Sequence, residues 1–374
     1  MCPGISHVDE DVKNTDRIAF FRAVYEGFTR AAKAVKGTVD CFYKIADRTI
    51  CLHFAGTGLV PQLSPALAHL ETEPVLKPAL TVCLWDTAST NTEMPLLVSS
   101  LIHFLRLRWW ELLDTRREIK GYNDHRIRSA FHLGPDILSL LDLQQDLALY
   151  WVMDASKIPY YERGYPLQTI LNWWAINHGH QYVHAAAVGT EAGGLLLAGK
   201  GGCGKSTISM ACIDSDLKFA GDDYSLVAID PFPRVYSLYN TAKLKGIEDI
   251  RRFPLLASMI CNLDRLDEEK AMLFLHKYRP EKIVSEFPLR AILLPRISGK
   301  SETKLHPAKP MEALRTLAPS TILQLSGTGQ EAFRLMSALV KQVPCFTFEV
   351  GTEISKIPEV IINLLSSESY KSRT

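Results

Sequence analysis

The chain lacks several features that would have assigned it at once. It has no uninterrupted apolar run of bilayer-spanning length, so no membrane partner is expected. Its start, Met1-Cys-Pro-Gly-Ile-Ser-His-Val, has no basic segment followed by an apolar one, so no secretory signal is expected. Charge of one sign is also missing. Lys and Arg number 42 and Asp and Glu 41, so neither nucleic acid nor an anionic surface is expected as the main partner. The eight cysteines are scattered, and the closest two, Cys203 and Cys212, stand nine positions apart. No C-x-x-C metal or redox motif exists, and reduced thiols in the cytoplasm are the expectation. No internal repeat or low-complexity tract is visible.

What remains is a globular composition, 47% apolar and 22% charged, in a chain of 374 residues. That length exceeds one ordinary core, so two domains are expected. Residues 1–165 read as an α+β N-terminal domain for recognition or assembly, which leaves a homo-oligomer open. Helical spacing covers Asp16–Ala34 and Leu97–Leu113, and strand patterns cover Cys41–Ala55 (turning at Asp47-Arg48), Leu80–Trp85, Phe131–Leu141 and Asp146–Met153. In the second helix, Arg106, Arg108, Trp109 and Trp110 are expected to be a buried face with two solvated arginines. Pro159, Gly164 and Pro166 break the segment that follows, whose tyrosines are expected to pack on a neighbour.

From residue 166 onward, strands and helices alternate, as in an α/β domain. A helix is expected over Leu167–Asn177, a strand over Gln181–Val188, and a further apolar run at Leu195–Ala198. Strands at Leu289–Leu294 and Cys345–Val350 follow, with helices at Met311–Leu317, Glu331–Val340 and Pro358–Leu365. Between the Leu195–Ala198 run and a helix over Ser206–Asp214 stands Gly199-Lys200-Gly201-Gly202-Cys203-Gly204-Lys205-Ser206, followed by Thr207. It fits G-x-x-x-x-G-K-[ST], a loop whose N–H groups wrap nucleotide phosphates at a helix N-terminus. Lys205 is expected to reach the terminal phosphates, and Ser206 to bind Mg²⁺. Cys203 within this loop is either an oxidant-sensitive thiol or a small residue that fits.

Phosphoryl transfer also needs an acidic group near the phosphates. Asp230, at the end of the Leu226–Ile229 run, competes for that role with Asp222-Asp223 on the Gly221 turn, and on local sequence the two stand even. Lys243 and Arg290 could add positive charge. His178, His180 and His184 share one parity of an extended segment, which makes a three-histidine metal site conceivable.

Val183-His184, the Gly194–Ser206 segment and Phe219-Ala-Gly-Asp-Asp223 together resemble the HPr kinase/phosphorylases and, more distantly, the phosphoenolpyruvate carboxykinases that share their fold. The resemblance covers about residues 165–235. It implies a C-terminal P-loop kinase domain of that α/β type over residues 166–374, with ATP and Mg²⁺ as cofactors. It implies that Lys205 and Ser206 bind phosphate and metal, that His184 lies near the phosphates, and that Asp222 and Asp223 divide the roles of metal partner and base, Asp223 being the expected base. The acceptor it implies is a serine hydroxyl of a peptide or protein. Arg106, Arg108, Arg126 and Arg128 offer charge for an acidic one. Departures are Thr207, where HPr kinases usually carry an acidic residue, the absence of the signature linked with phosphorolysis, and an unrelated N-terminal segment. A small-molecule kinase and a non-catalytic nucleotide sensor are the alternatives.

Overall fold

The computed structural model describes residues 5–323, 325 and 329–367. Its first half is built on a six-stranded sheet of β1 (Thr38–Ile45), β2 (Arg48–Ala55), β3 (Leu80–Asp86), β4 (Ile127–His132), β5 (Ile137–Asp142) and β6 (Leu147–Val152), in the order β1-β2-β3-β6-β5-β4. Period-2 alternation divides the strand residues between two faces. Cys83, Trp85, Leu149 and Trp151 meet Phe20, Phe21, Val24 and Phe28 of the Ile5–Ala34 helix. Val82, Leu84, Tyr150 and Val152 face the other way, onto Trp173, Trp174, Tyr182 and Tyr239. The apolar core therefore runs across residue 165, the expected boundary between domains. The β1–β2 turn is Ala46-Asp47 rather than Asp47-Arg48, because Ile45 pairs with Arg48; Ala46 takes the left-handed conformation there, at φ 53°.

The second half holds β7 (Gln181–Val183), β8 (Ala185–Thr190), β9 (Gly193–Ala198), β10 (Lys218–Gly221), β11 (Ser225–Ala228), β12 (Arg234–Tyr236), β13 (Thr241–Leu244), β14 (Ala271–Phe274), β15 (Glu286–Ile297), β16 (Lys304–Ala308) and β17 (Cys345–Val350). Nine of these form one mixed sheet with the path β10-β8-β9-β15-β12-β11-β7, and β17 and β16 extend it beside β15; β13 and β14 pair separately. The Leu195–Ala198 run is apolar throughout because both of its faces are covered. Leu196 and Ala198 pack under the Pro310–Ile322 and Gln330–Gln342 helices. Leu195 and Leu197 pack under Lys205–Cys212 and Ile357–Ser366.

Four further local expectations need correction. The strand pattern over Phe131–Leu141 is two antiparallel strands, β4 ending at His132 and β5 beginning at Ile137. The strand expected over Gln181–Val188 divides at His184: β7 pairs with β11, whereas β8 pairs with β9 and β10. The Leu97–Leu113 helix ends at Leu107 and restarts as Trp109–Leu112. Trp109 and Trp110 are half exposed rather than buried, since this short turn carries them off the core. Among the described residues no helix is long and apolar enough to cross a membrane. The described cysteines are free thiols, and Cys2 lies outside the described residues.

Candidate active site

β9 delivers the chain directly into Gly199–Gly204, and the Lys205–Cys212 helix begins where that loop ends. Gly202 (φ 84°) and Gly204 (φ 100°) occupy conformations that a side chain would strain. A Cβ on Gly199 would stand 2.3 Å from Cys203 Sγ, so the thiol fills the loop's inner side. Lys200, Gly201 and Gly202 are exposed at its rim, with Ser206 and Thr207 half-buried behind them. Lys205 is buried, and its ammonium donates to the carbonyls of Gly199 (2.7 Å) and Lys200 (3.4 Å). A cationic group, glycine-freed N–H groups and a helix N-terminus thus converge at one place, a donor set that fits nucleotide phosphates.

The two adjacent aspartates point to different surroundings. Asp222 is buried against the loop's helix: Ser209 Oγ donates to its Oδ1 at 3.2 Å and the Lys243 N–H to its Oδ2 at 3.1 Å. Burial, and then the charge of Asp223, push the Asp222 carboxyl up to about 7, against the opposing hydrogen bond from Ser206. Asp223 instead faces a cavity. It accepts a hydrogen bond from Tyr165 Oη at 3.1 Å, and it lies 3.6 Å from Lys243 Nζ and 3.8 Å from His184 Nε2. Burial alone would raise its pKa, but His184 and Lys243 reverse that and hold Asp223 below the usual carboxylate range.

Lys243 is itself buried, with its ammonium 3.9 Å from the centre of the Tyr165 ring. Desolvation lowers its pKa against the pull of both aspartates. His184 is fixed by its backbone N–H, which donates to Thr321 Oγ1 at 3.1 Å, and by the nearby Tyr224 ring. Among the described residues its Nδ1 is buried without a hydrogen-bond partner.

Other residues singled out from sequence lie elsewhere. Asp230 is exposed at the end of β11, which β12 and β15 separate from β9. Arg290 reaches the Ala192 carbonyl at 3.4 Å, by the start of β9 and so at the opposite end of the strand from the loop. His178 and His180 bond backbone carbonyls of Trp174 and His178. They form no metal cluster with His184, and no group of three His, Cys, Asp or Glu suited to a metal occurs among the described residues. Arg106, Arg108, Arg126 and Arg128, expected to offer charge to an acidic acceptor, are each already engaged by a carboxylate: Asp136, Glu111, Asp142 and Glu118.

A cavity of about 380 Å³ opens at Asp223. Both halves of the chain wall it, with Arg116, Arg117 and His132 on one side and Tyr165, Tyr224 and Lys243 on the other. Sequence reading missed Arg116, Arg117, His132 and Tyr165 at this site. Tyr165 carried a weak signal, as an aromatic in a proline- and glycine-broken segment. The Arg116-Arg117 pair carried none, since it reads like any surface dibasic pair.

No protein-family model matches the chain, and no curated protein matches it. Among solved structures, the HPr(Ser) kinase/phosphatase from Coxiella burnetii aligns over 52% of this chain and 99% of its own, with 14% sequence identity and a TM-score of 0.29. A likeness that slight supports no functional inference.

Proposed function

We propose that the chain is an ATP-dependent phosphotransferase that moves the γ-phosphate to an alcohol hydroxyl, the serine of a peptide or protein, held in the cavity at Asp223. One observation carries this reading: consecutive carboxylates serve opposite sides of one site. Asp222 meets Ser209 on the phosphate-loop helix, while Asp223 meets the cavity. A phosphoryl donor and an acceptor would thus lie on either side of one peptide link, the proximity that transfer requires.

Each part has a definite task in this scheme. The loop N–H groups and Lys205 bind the β- and γ-phosphates, exchanging carbonyl partners for phosphate oxygens. Mg²⁺ held by Ser206 and Asp222 would supply charge neutralisation on the phosphates. Asp223 orients the acceptor hydroxyl and takes its proton. A carboxylate of low pKa suits a loose transition state, in which the hydroxyl needs positioning more than early deprotonation. Lys243 adds positive charge beside that position, and His184 Nε2 lies 3.8 Å from the Asp223 carboxylate.

The cavity's volume alone would suit a metabolite. Its walls, however, come from both halves of the chain and continue past Arg117, which favours a longer acceptor. The test is transfer of label from γ-labelled ATP to serine-containing polypeptides, located by mass spectrometry. Wild type is expected to label serine, and Lys205→Ala to lose both ATP binding by calorimetry and labelling. Unchanged ATP affinity in Lys205→Ala contradicts the loop assignment.

A further inference from the structure

Beside the cavity at Asp223 lies a second one, of about 370 Å³. Thr115, Arg117, His132 and Tyr161 line both, so the two form one trough. Arg116 and Arg117 line its inner part. Its outer part is walled by Trp109, Leu113, Phe131, Leu133 and Pro135.

Hydrogen bonds fix the backbone around Arg117. Arg117 adopts φ 69°, its N–H donates to the Asp114 carbonyl at 3.1 Å, and its own carbonyl accepts from the Phe131 N–H at 2.9 Å. Asp114 Oδ1 in turn accepts the N–H groups of Arg116 (2.8 Å) and Glu118 (2.9 Å). A left-handed conformation at a residue other than glycine, asparagine or aspartate costs free energy and persists only where surrounding bonds enforce it. These bonds place the Arg117 side chain at the junction of the two cavities.

The charge there differs from that of the neighbouring arginines. Arg117 Nη1 lies 3.0 Å from His132 Nε2. Burial, with Arg117 as a second cause, lowers His132 to about 3, so this imidazole is neutral. Among the described residues Arg117 makes no ion pair with a carboxylate, whereas Arg106, Arg108, Arg126 and Arg128 each make one. An exposed guanidinium set against a neutral ring, at the junction of a polar and an aromatic cavity, is an anion-recognition element. Beyond it, Trp109 is half exposed over the outer cavity, where it offers a rigid apolar contact surface.

We propose that this trough selects the acceptor polypeptide: an acidic side chain close to the phosphorylated hydroxyl binds Arg117, and an apolar side chain further along the extended peptide packs against Trp109, Leu133 and Pro135. The inference rests on the phosphotransferase reading above and adds a sequence preference to it. An extended chain advances about 3.3 Å per residue, so hydroxyl, acid and apolar group lie within a few residues of one another.

The test uses the full chain, γ-labelled ATP and a library of serine-centred peptides, each flanking position being fixed in turn to every amino acid. Free L-serine and glycerate form separate arms. Enrichment of Asp or Glu near the serine, with Trp, Phe or Leu further out on the same side, is expected. For the best peptide, Arg117→Gln should lower kcat/KM about tenfold, yet leave that of its Glu-to-Gln counterpart and the ATP affinity unchanged. Arg117→Glu should shift the preference toward lysine at the acidic position, a gain that misfolding cannot imitate. Labelled peptides without charge preference, or an equal loss on both peptides in Arg117→Gln, overturn the trough and leave the phosphotransferase reading standing. Label on serine or glycerate alone, or on nothing, overturns the polypeptide acceptor and the trough with it.

Discussion

Lys243 and Asp223 form a side-chain pair at 3.6 Å whose cation is buried and whose anion looks into the cavity. The same lysine's backbone N–H donates to Asp222. One residue of β13 therefore sets the environment of both carboxylates, and its removal should affect turnover more than nucleotide binding.

Lys243→Met is expected to reduce kcat on the order of 100-fold, the scale for removing one preorganised charge from a phosphoryl-transfer site. It should also move the acid limb of the pH–rate profile. Lys243 helps to hold Asp223 below the usual carboxylate range, so its loss raises the pKa of Asp223. The variant then loses activity at a higher pH than wild type. Full profiles of kcat/KM for both proteins check this, and superimposable acid limbs would show that Lys243 does not act through Asp223.

Glu162, which lines the cavity at Asp223, gives a stability signal read by unfolding rather than by turnover. It is buried, accepts a hydrogen bond from Tyr150 Oη at 3.0 Å, and burial raises its pKa from 4.5 to about 7. Between these values the folded protein keeps a proton that the unfolded chain has released. Its contribution is fully present below pH 4.5 and is lost as pH rises through 7. Glu162→Gln lacks this dependence. Relative to the variant, wild type should lose about 3 kcal/mol between pH 4.5 and pH 7.5, read by denaturant unfolding at each pH. A constant difference across that range would place the titration elsewhere.

Regular elements were legible in the sequence where apolar pattern and burial agree. The Leu195–Ala198 run, covered on both faces, and Cys345–Val350 are strands where the pattern puts them. Gln181–Val188 misled because its apolar run continues through His184 while its pairing partner changes, and only the sheet order shows that. The Asp222 and Asp230 alternatives were equal in sequence because both flank apolar segments. They separate in three dimensions, where Asp222 meets Ser209 on the helix that follows the loop and β11 lies three strands away from β9. The trough was not legible at all. It joins residues 109–135 to residues 161–243, and no local pattern encodes a juxtaposition of that range.

The most direct measurement of the central claim compares Asp223→Asn with Asp230→Asn in two assays. Calorimetry reads Mg-ATP affinity, and single-turnover transfer from γ-labelled ATP to the best peptide reads chemistry. Asp223→Asn is expected to keep ATP affinity and lose transfer by a factor on the order of 10² to 10⁴, since it removes the group that positions and deprotonates the hydroxyl. Asp230→Asn should match wild type in both assays. Wild-type transfer by Asp223→Asn, or loss of transfer in Asp230→Asn, would contradict the assignment of Asp223 to the acceptor side of this site.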